Sequence, residues 1–121
     1  MKVTKLKIPM YDFDLTFIEI ESPKDEHDAS KYLNEIKMPK EDANNIKRQI
    51  REGATNGGDT WRNFPLKKIL MIAFKCESER KRRNIINHEK RHVVDRIMEW
   101  ASIHDIETSA FLDGYISEFI Y

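Results

Sequence analysis

Apolar and polar positions alternate between Leu15 and Ile20, where Leu15, Phe17, Ile18 and Ile20 surround Thr16 and Glu19, and this predicts a strand. The segment before it, from Val3, carries Pro9 and the Tyr11-Asp12 pair and reads as a short strand or bend. The polar run ESPKDEHDAS predicts a loop that caps a short helix around residues 29–36. Pro39 stands where a helix accepts a first-turn proline, and KEDANNIKRQIRE continues helically until Gly53. Asn56-Gly57-Gly58 marks a turn, followed by strands over 60–64 and 66–74 divided by Pro65. The run LKKILMIAF is the most apolar in the chain and predicts its best-buried strand.

From Glu77 the period becomes helical. Ile86, Val93, Ile97 and Trp100 fall on one stripe, with serine and glutamate suited to the start of the helix. A second helix over 107–119 sets Ala110, Phe111, Tyr115 and either Phe119 or Ile116 on one side. The expected fold is α+β: a small sheet from the N-terminal and middle segments packed against two C-terminal helices. At 121 residues the chain makes one domain, residues 1–121, with a single modest core.

Charge changes the picture by what it removes. Lysine plus arginine (21) balance aspartate plus glutamate (21), so the global basic footprint of a nucleic-acid or membrane binder is absent. The one cysteine, Cys76, cannot form an internal disulfide and fits a reducing compartment. No stretch is apolar enough to span a bilayer, and the expectation is a soluble, cytoplasmic protein.

Candidate chemistry enters with NIINHEKRHVVDRIMEW, in which His88, Glu89 and His92 stand in the order H-E-x-x-H. At about 100° per residue, Val93, Ile97 and Trp100 cluster around Ile86, whereas His88 and His92 lie nearly opposite. The two imidazoles are one turn apart on a common face, which lets both reach a single tetrahedral ion. Glu89 is displaced sideways, where it can lean toward a metal-bound water and accept its proton. The competing reading is an exposed helix face crowded with charges. Lys90 and Arg91 inside the motif favour that reading, since zinc peptidases usually place uncharged residues there, although a lysine beside the stripe can snorkel outward.

A catalytic zinc wants a third protein ligand and an open position. Asp95 and Glu99 share the histidine face, but Asp95 lies about 10 Å along the helix from His88 and Glu99 farther. Asp95 is better cast as an acceptor orienting His92. The extended pattern HExxHxxGxxH is absent, because position 95 is Asp and position 98 is Met. The ligand should then come from the following helix, where Glu107 occupies the first turn and Ala110 and Gly114 permit close approach.

The tail HEKRHVVDRIMEWASIHDIETSAFLDGY resembles a family of small phage and prophage proteins with a minimal gluzincin-like region, in which an HExxH helix is followed by E-x-x-A-[FY]-L-x-G-Y. Here that element is Glu107, Ala110, Phe111, Leu112, Gly114 and Tyr115. More weakly, KIPMYDFDLTFIEI looks like the family's first strands, and NGGDTW occupies the place of its glycine-threonine turn. The resemblance implies a zincin-like arrangement, His88, His92 and Glu107 as Zn2+ ligands, Glu89 as general base, and a phage or mobile-element setting. The resemblance assigns no substrate; the chemistry of these roles fits attack on a peptide or other amide carbonyl, and the expectation is a metallopeptidase with a peptide or protein substrate.

His104 and Tyr115 are candidates for supporting an oxyanion, against the plainer readings of a solvated loop histidine and a core tyrosine. The strand over 66–74 could offer an edge to an extended peptide, or be central and buried. Lys81, Arg82 and Arg83 read as a charge-paired face with Glu77 and Glu79, Trp61 and Trp100 as packing residues, and His27 as solvated. Three classes remain: a zinc-dependent hydrolase, a non-catalytic zinc-stabilised protein that binds a partner, and a metal-free interaction or DNA-associated module.

Overall fold

Residues 1–121 are described by a computed structural model. The first alternating segment is a full hairpin. Strand β1 (Lys2–Ile8) pairs antiparallel with β2 (Phe13–Glu19), turning at Pro9–Asp12, where Asp12 takes φ 62°. Pro9 lies just past the ladder, so it ends β1 without breaking it.

The polar run that follows is shorter as a loop than its composition suggests. Ser22 and Asp25 form a reciprocal capping box around a 3-10 turn, Pro23–Asp25, and α1 (Glu26–Glu35) begins directly after it. Next, α2 (Lys40–Arg51) starts after Pro39 and ends before Gly53, whose φ of 77° needs glycine.

Two further strands, β3 (Gly58–Asn63) and β4 (Lys68–Ala73), flank a turn through Pro65 and Lys67. Each is offset by a residue or two from the expected bounds. The sheet order is β1-β2-β4-β3, with β2 and β4 parallel and the outer pairs antiparallel. Two helices complete the chain: α3 (Glu79–Ala101), capped by Ser78, and α4 (Ile106–Ile120), capped by Asp105.

The α+β expectation holds, but with a helix layer on each face of the sheet. On one face, Phe13, Leu15, Phe17, Ile69 and Met71 meet Ile86, Val93 and Ile97 of α3 and Leu112, Ile116 and Ile120 of α4. On the other, Ile18, Leu70 and Ile72 meet Ala29 and Leu33 of α1 and Ile46 and Ile50 of α2. Strand β4 lies inside the sheet and buries side chains on both faces, which is why its sequence is a continuous apolar run. It therefore offers no edge. The edge strand beside α3 is β3.

The apolar side of α4 also differs from expectation. Leu112, Ile116 and Ile120 are its buried residues, whereas Phe111 and Phe119 are about half exposed and Ala110 faces solvent. This helix is apolar on most sides, so periodicity alone could not choose between the stripes. Polar contacts to α3, described below, make the choice.

Candidate metal centre

The long helix α3 is held at both ends before it presents any chemistry. At its start Arg82 bonds Glu19 of β2 at 2.6 Å, and the carboxylate holds the guanidinium's pKa above its usual value. Lys81 and Arg83 make the expected one-turn pairs with Glu77 and Glu79. At its far end Trp100 packs edge-on against Phe13 and Tyr11.

Between these anchors the motif straddles the boundary between core and solvent. His88 and His92 point outward, with their Nε2 atoms 3.1 Å apart and their rings nearly perpendicular. Two nitrogens bound at about 2.0–2.1 Å to one tetrahedral ion would lie about 3.3 Å apart. The observed spacing fits that demand, and equally fits one imidazole N–H donating to the other ring.

Glu89 turns the opposite way, into the seam between α3 and β3, and is only 5% exposed. Its Oε2 accepts the Thr60 hydroxyl at 2.6 Å, and its Oε1 stands 3.9 Å from His88 Nε2. Ligand atoms of His88, Glu89 and His92 all lie within 4.8 Å of one another, and no other His, Cys, Asp or Glu joins the group. A buried carboxylate needs hydrogen bonds or opposite charge to offset lost hydration. Thr60 supplies the first, and a cation shared with the histidines would supply the second.

Gly58 makes the seam possible. A Cβ there would stand 2.6 Å from the Ile72 carbonyl oxygen, 2.9 Å from Glu89 Cγ and 3.0 Å from Ile85 Cγ2. Only glycine lets the helix press this closely on the edge strand. The resulting cleft holds about 350 Å3 and is lined by β3 on one side and by His88, Glu89, His92 and Arg96 on the other.

The expected third ligand is not brought there. Glu107 is exposed in the first turn of α4, and α4 packs on the opposite flank of α3, over β1, while the histidine cleft borders β3 at the other edge of the sheet. A Cβ added at Gly114 would meet nothing within 4 Å, so the small residues of α4 mark no close helix approach.

The other supporting residues are elsewhere too. Asp95 pairs with Arg91 at 3.7 Å and borders, with His104, the groove between α3 and the start of α4. Tyr115 donates its hydroxyl to the Lys7 carbonyl at 3.2 Å, beside β1. None of these three meets the imidazole pair.

What fixes α4 on that flank is Lys90. Far from snorkelling, its side chain is buried, and its ammonium donates to Ser117 at 2.8 Å and Tyr121 at 3.0 Å while standing 3.0 Å from an Asp113 oxygen. Burial pushes the ammonium's pKa down, but the Tyr121 and Asp113 contacts outweigh it and leave it raised. The signal was available: on the wheel that places Ile86 at the stripe's centre, Lys90 falls roughly 40° to one side and Glu89 roughly 60° to the other. Both belong to the margin of the buried face.

Thr60 and Gly58 were missed as site residues, since nothing in a single strand's pattern says which helix turn it will meet. Cys76 is half-buried, and burial raises its thiol pKa, consistent with an inert side chain. No helix is long and apolar enough to cross a membrane. Comparison with known protein families, curated proteins and solved structures finds no match for this chain.

Proposed function

We propose that His88 and His92 hold a zinc ion and that the chain is a zinc-dependent hydrolase of amide bonds, a metallopeptidase of zincin-like arrangement, with Glu89 as its general base. The observation that carries this reading is the separation of roles within one helical turn. The imidazole nitrogens sit at ligand spacing, 3.1 Å. The Glu89 Oε1 atom sits 3.9 Å from His88 Nε2, farther off than the imidazoles are from each other, which suits it to receiving a proton from a water held between them.

Zinc bound there would supply a Lewis acid that lowers the pKa of its water toward neutrality. Glu89 Oε1 would take the proton of the attacking water and pass it to the departing amine nitrogen as the C–N bond breaks, and Thr60 keeps Oε2 engaged so that the free oxygen faces the cleft. Strand β3, the sheet's edge, can lay an extended peptide alongside the histidines. The phage or mobile-element setting and the cytoplasmic location rest on the tail's resemblance and on the single reduced cysteine.

A specific observation favours a second reading, a zinc-stabilised protein without catalysis. With Glu107 on the far flank, Glu89 is the only carboxylate grouped with the histidines and could itself be the third ligand. Glu89→Gln separates the two. In a hydrolase the variant keeps stoichiometric zinc and loses cleavage of a peptide library. Loss of zinc together with Glu89 instead identifies a structural ligand, and retained cleavage rejects the base assignment.

A further inference from the structure

We propose that the cleft takes a ligand bearing a carboxylate within one residue of the group that meets the imidazoles, and that Arg96 recognises this carboxylate. The proposal rests on the hydrolase reading and names the substrate class for the same site: a peptide whose carboxylate adjoins the bond to be cut.

Arg96 follows His92 by one turn on the same face, about 6 Å along the helix axis, and lines the cleft. No side chain lining that cleft is hydrophobic, so an apolar group entering it would leave water for a polar wall and gain nothing. Its two acids are partly engaged, with Glu89 Oε1 left free beside the imidazoles. Asp59 accepts from the Thr60 backbone N–H at 2.9 Å and from the Trp61 indole at 3.3 Å, and Glu89 accepts from Thr60.

Arg96 is less committed. Its Nη1 donates to Glu99 at 2.9 Å, an exposed pair one turn apart of the kind that exchanges readily with solvent. The other N–H groups of the guanidinium fork make no hydrogen bond, and a fork with free donors suits a carboxylate held through two of them. A cation at the imidazoles and a guanidinium one turn on would give a substrate two fixed points. The carbonyl to be attacked takes the first. Either the α-carboxylate of a terminal residue or the side-chain acid of Asp or Glu fits the second.

The test uses zinc-loaded protein and three malonic monohydroxamates, coupled through an amide to glycine, to aspartic acid α-amide, or to glycinamide. They offer a terminal carboxylate, a side-chain carboxylate or none. Calorimetric titration at neutral pH should show one or both acids binding about tenfold tighter than glycinamide, and which acid wins identifies the source of the carboxylate. Arg96→Gln should bring the acids and the neutral compound to within about twofold of one another, and Arg96→Lys should keep part of the preference. Equal affinities in the wild type, or a preference that survives Arg96→Gln, overturn the proposal while the hydrolase reading stands. Failure of the wild type to take up zinc, measured first by metal analysis, overturns both.

Discussion

The Thr60 hydroxyl reaches Glu89 Oε2 across 2.6 Å, tying the edge strand to the middle of α3 through a carboxylate that is almost fully buried. Thr60→Val keeps the shape and deletes the only hydrogen bond that oxygen accepts. A buried carboxyl group left short of a donor at this depth should cost about 1–3 kcal/mol of stability. Urea denaturation of Thr60→Val beside Thr60→Ser, which restores a hydroxyl, measures the effect. If both variants unfold at the wild-type midpoint, the bond does not hold the seam together.

Gly58 sets the distance across the same seam. In Gly58→Ala the new methyl meets a backbone carbonyl oxygen at 2.6 Å, and a β-sheet carbonyl cannot swing aside as a flexible side chain can. Either β3 parts from β4 or α3 is pushed away, at about 1–3 kcal/mol. Because Glu89 Cγ is the next atom met, zinc affinity should change along with the melting temperature, whereas Gly114→Ala, with open space around it inside α4, should leave zinc affinity unchanged and raise stability by about 0.5–1 kcal/mol.

The ligand set implied by the tail's resemblance and the one supported by the geometry part company at Glu107. Glu107→Gln should leave zinc affinity unchanged, and His92→Ala should lower it by more than the roughly 10–100-fold that loss of an outer hydrogen-bond partner costs. Zinc at a hundred times its dissociation constant should add about 2.7 kcal/mol to wild-type stability, an increment absent from His88→Ala. Competition against a chromogenic chelator gives the affinities, and melting with and without zinc gives the increment. A Glu107→Gln variant that loses zinc would mean that α4 leaves its flank to complete the site.

How much of this was legible varies element by element, for physical reasons. The β4 run declared itself because burial on both faces leaves no polar position beyond Lys68, and the Ile86, Val93 and Ile97 stripe because burial against a sheet imposes a helical period that propensity alone does not. The outward placement of His88 and His92 followed from the same wheel. The layer formed by α1 and α2 did not, since its Leu33 and Ile46 show amphipathic helices without showing which face of the sheet they cover. Placement of α4 was illegible for a related reason: Phe111, Tyr115 and Phe119 make as good a stripe as Leu112, Ile116 and Ile120. The decision lies in one buried lysine that a motif-based reading treated as a departure.

That lysine makes stability depend on alkaline pH. The folded pKa of Lys90 is raised above the ordinary lysine value of 10.5, so the folded protein holds this proton more tightly than the unfolded chain. Its stabilising contribution is therefore complete below about pH 10 and is lost as pH rises through the folded pKa. At neutral pH, Lys90→Met should cost about 1–2 kcal/mol, since the apolar stem still packs while the bonds to Ser117 and Tyr121 and the Asp113 pair disappear. The gap between variant and wild type should narrow steadily as the ammonium deprotonates. Thermal melts from about pH 8 to about pH 11 measure it. Hydrogen exchange should show faster opening of α4 in Lys90→Met while the β2–β4 ladder keeps its protection, and a gap that stays constant or widens toward high pH would contradict the assigned sign.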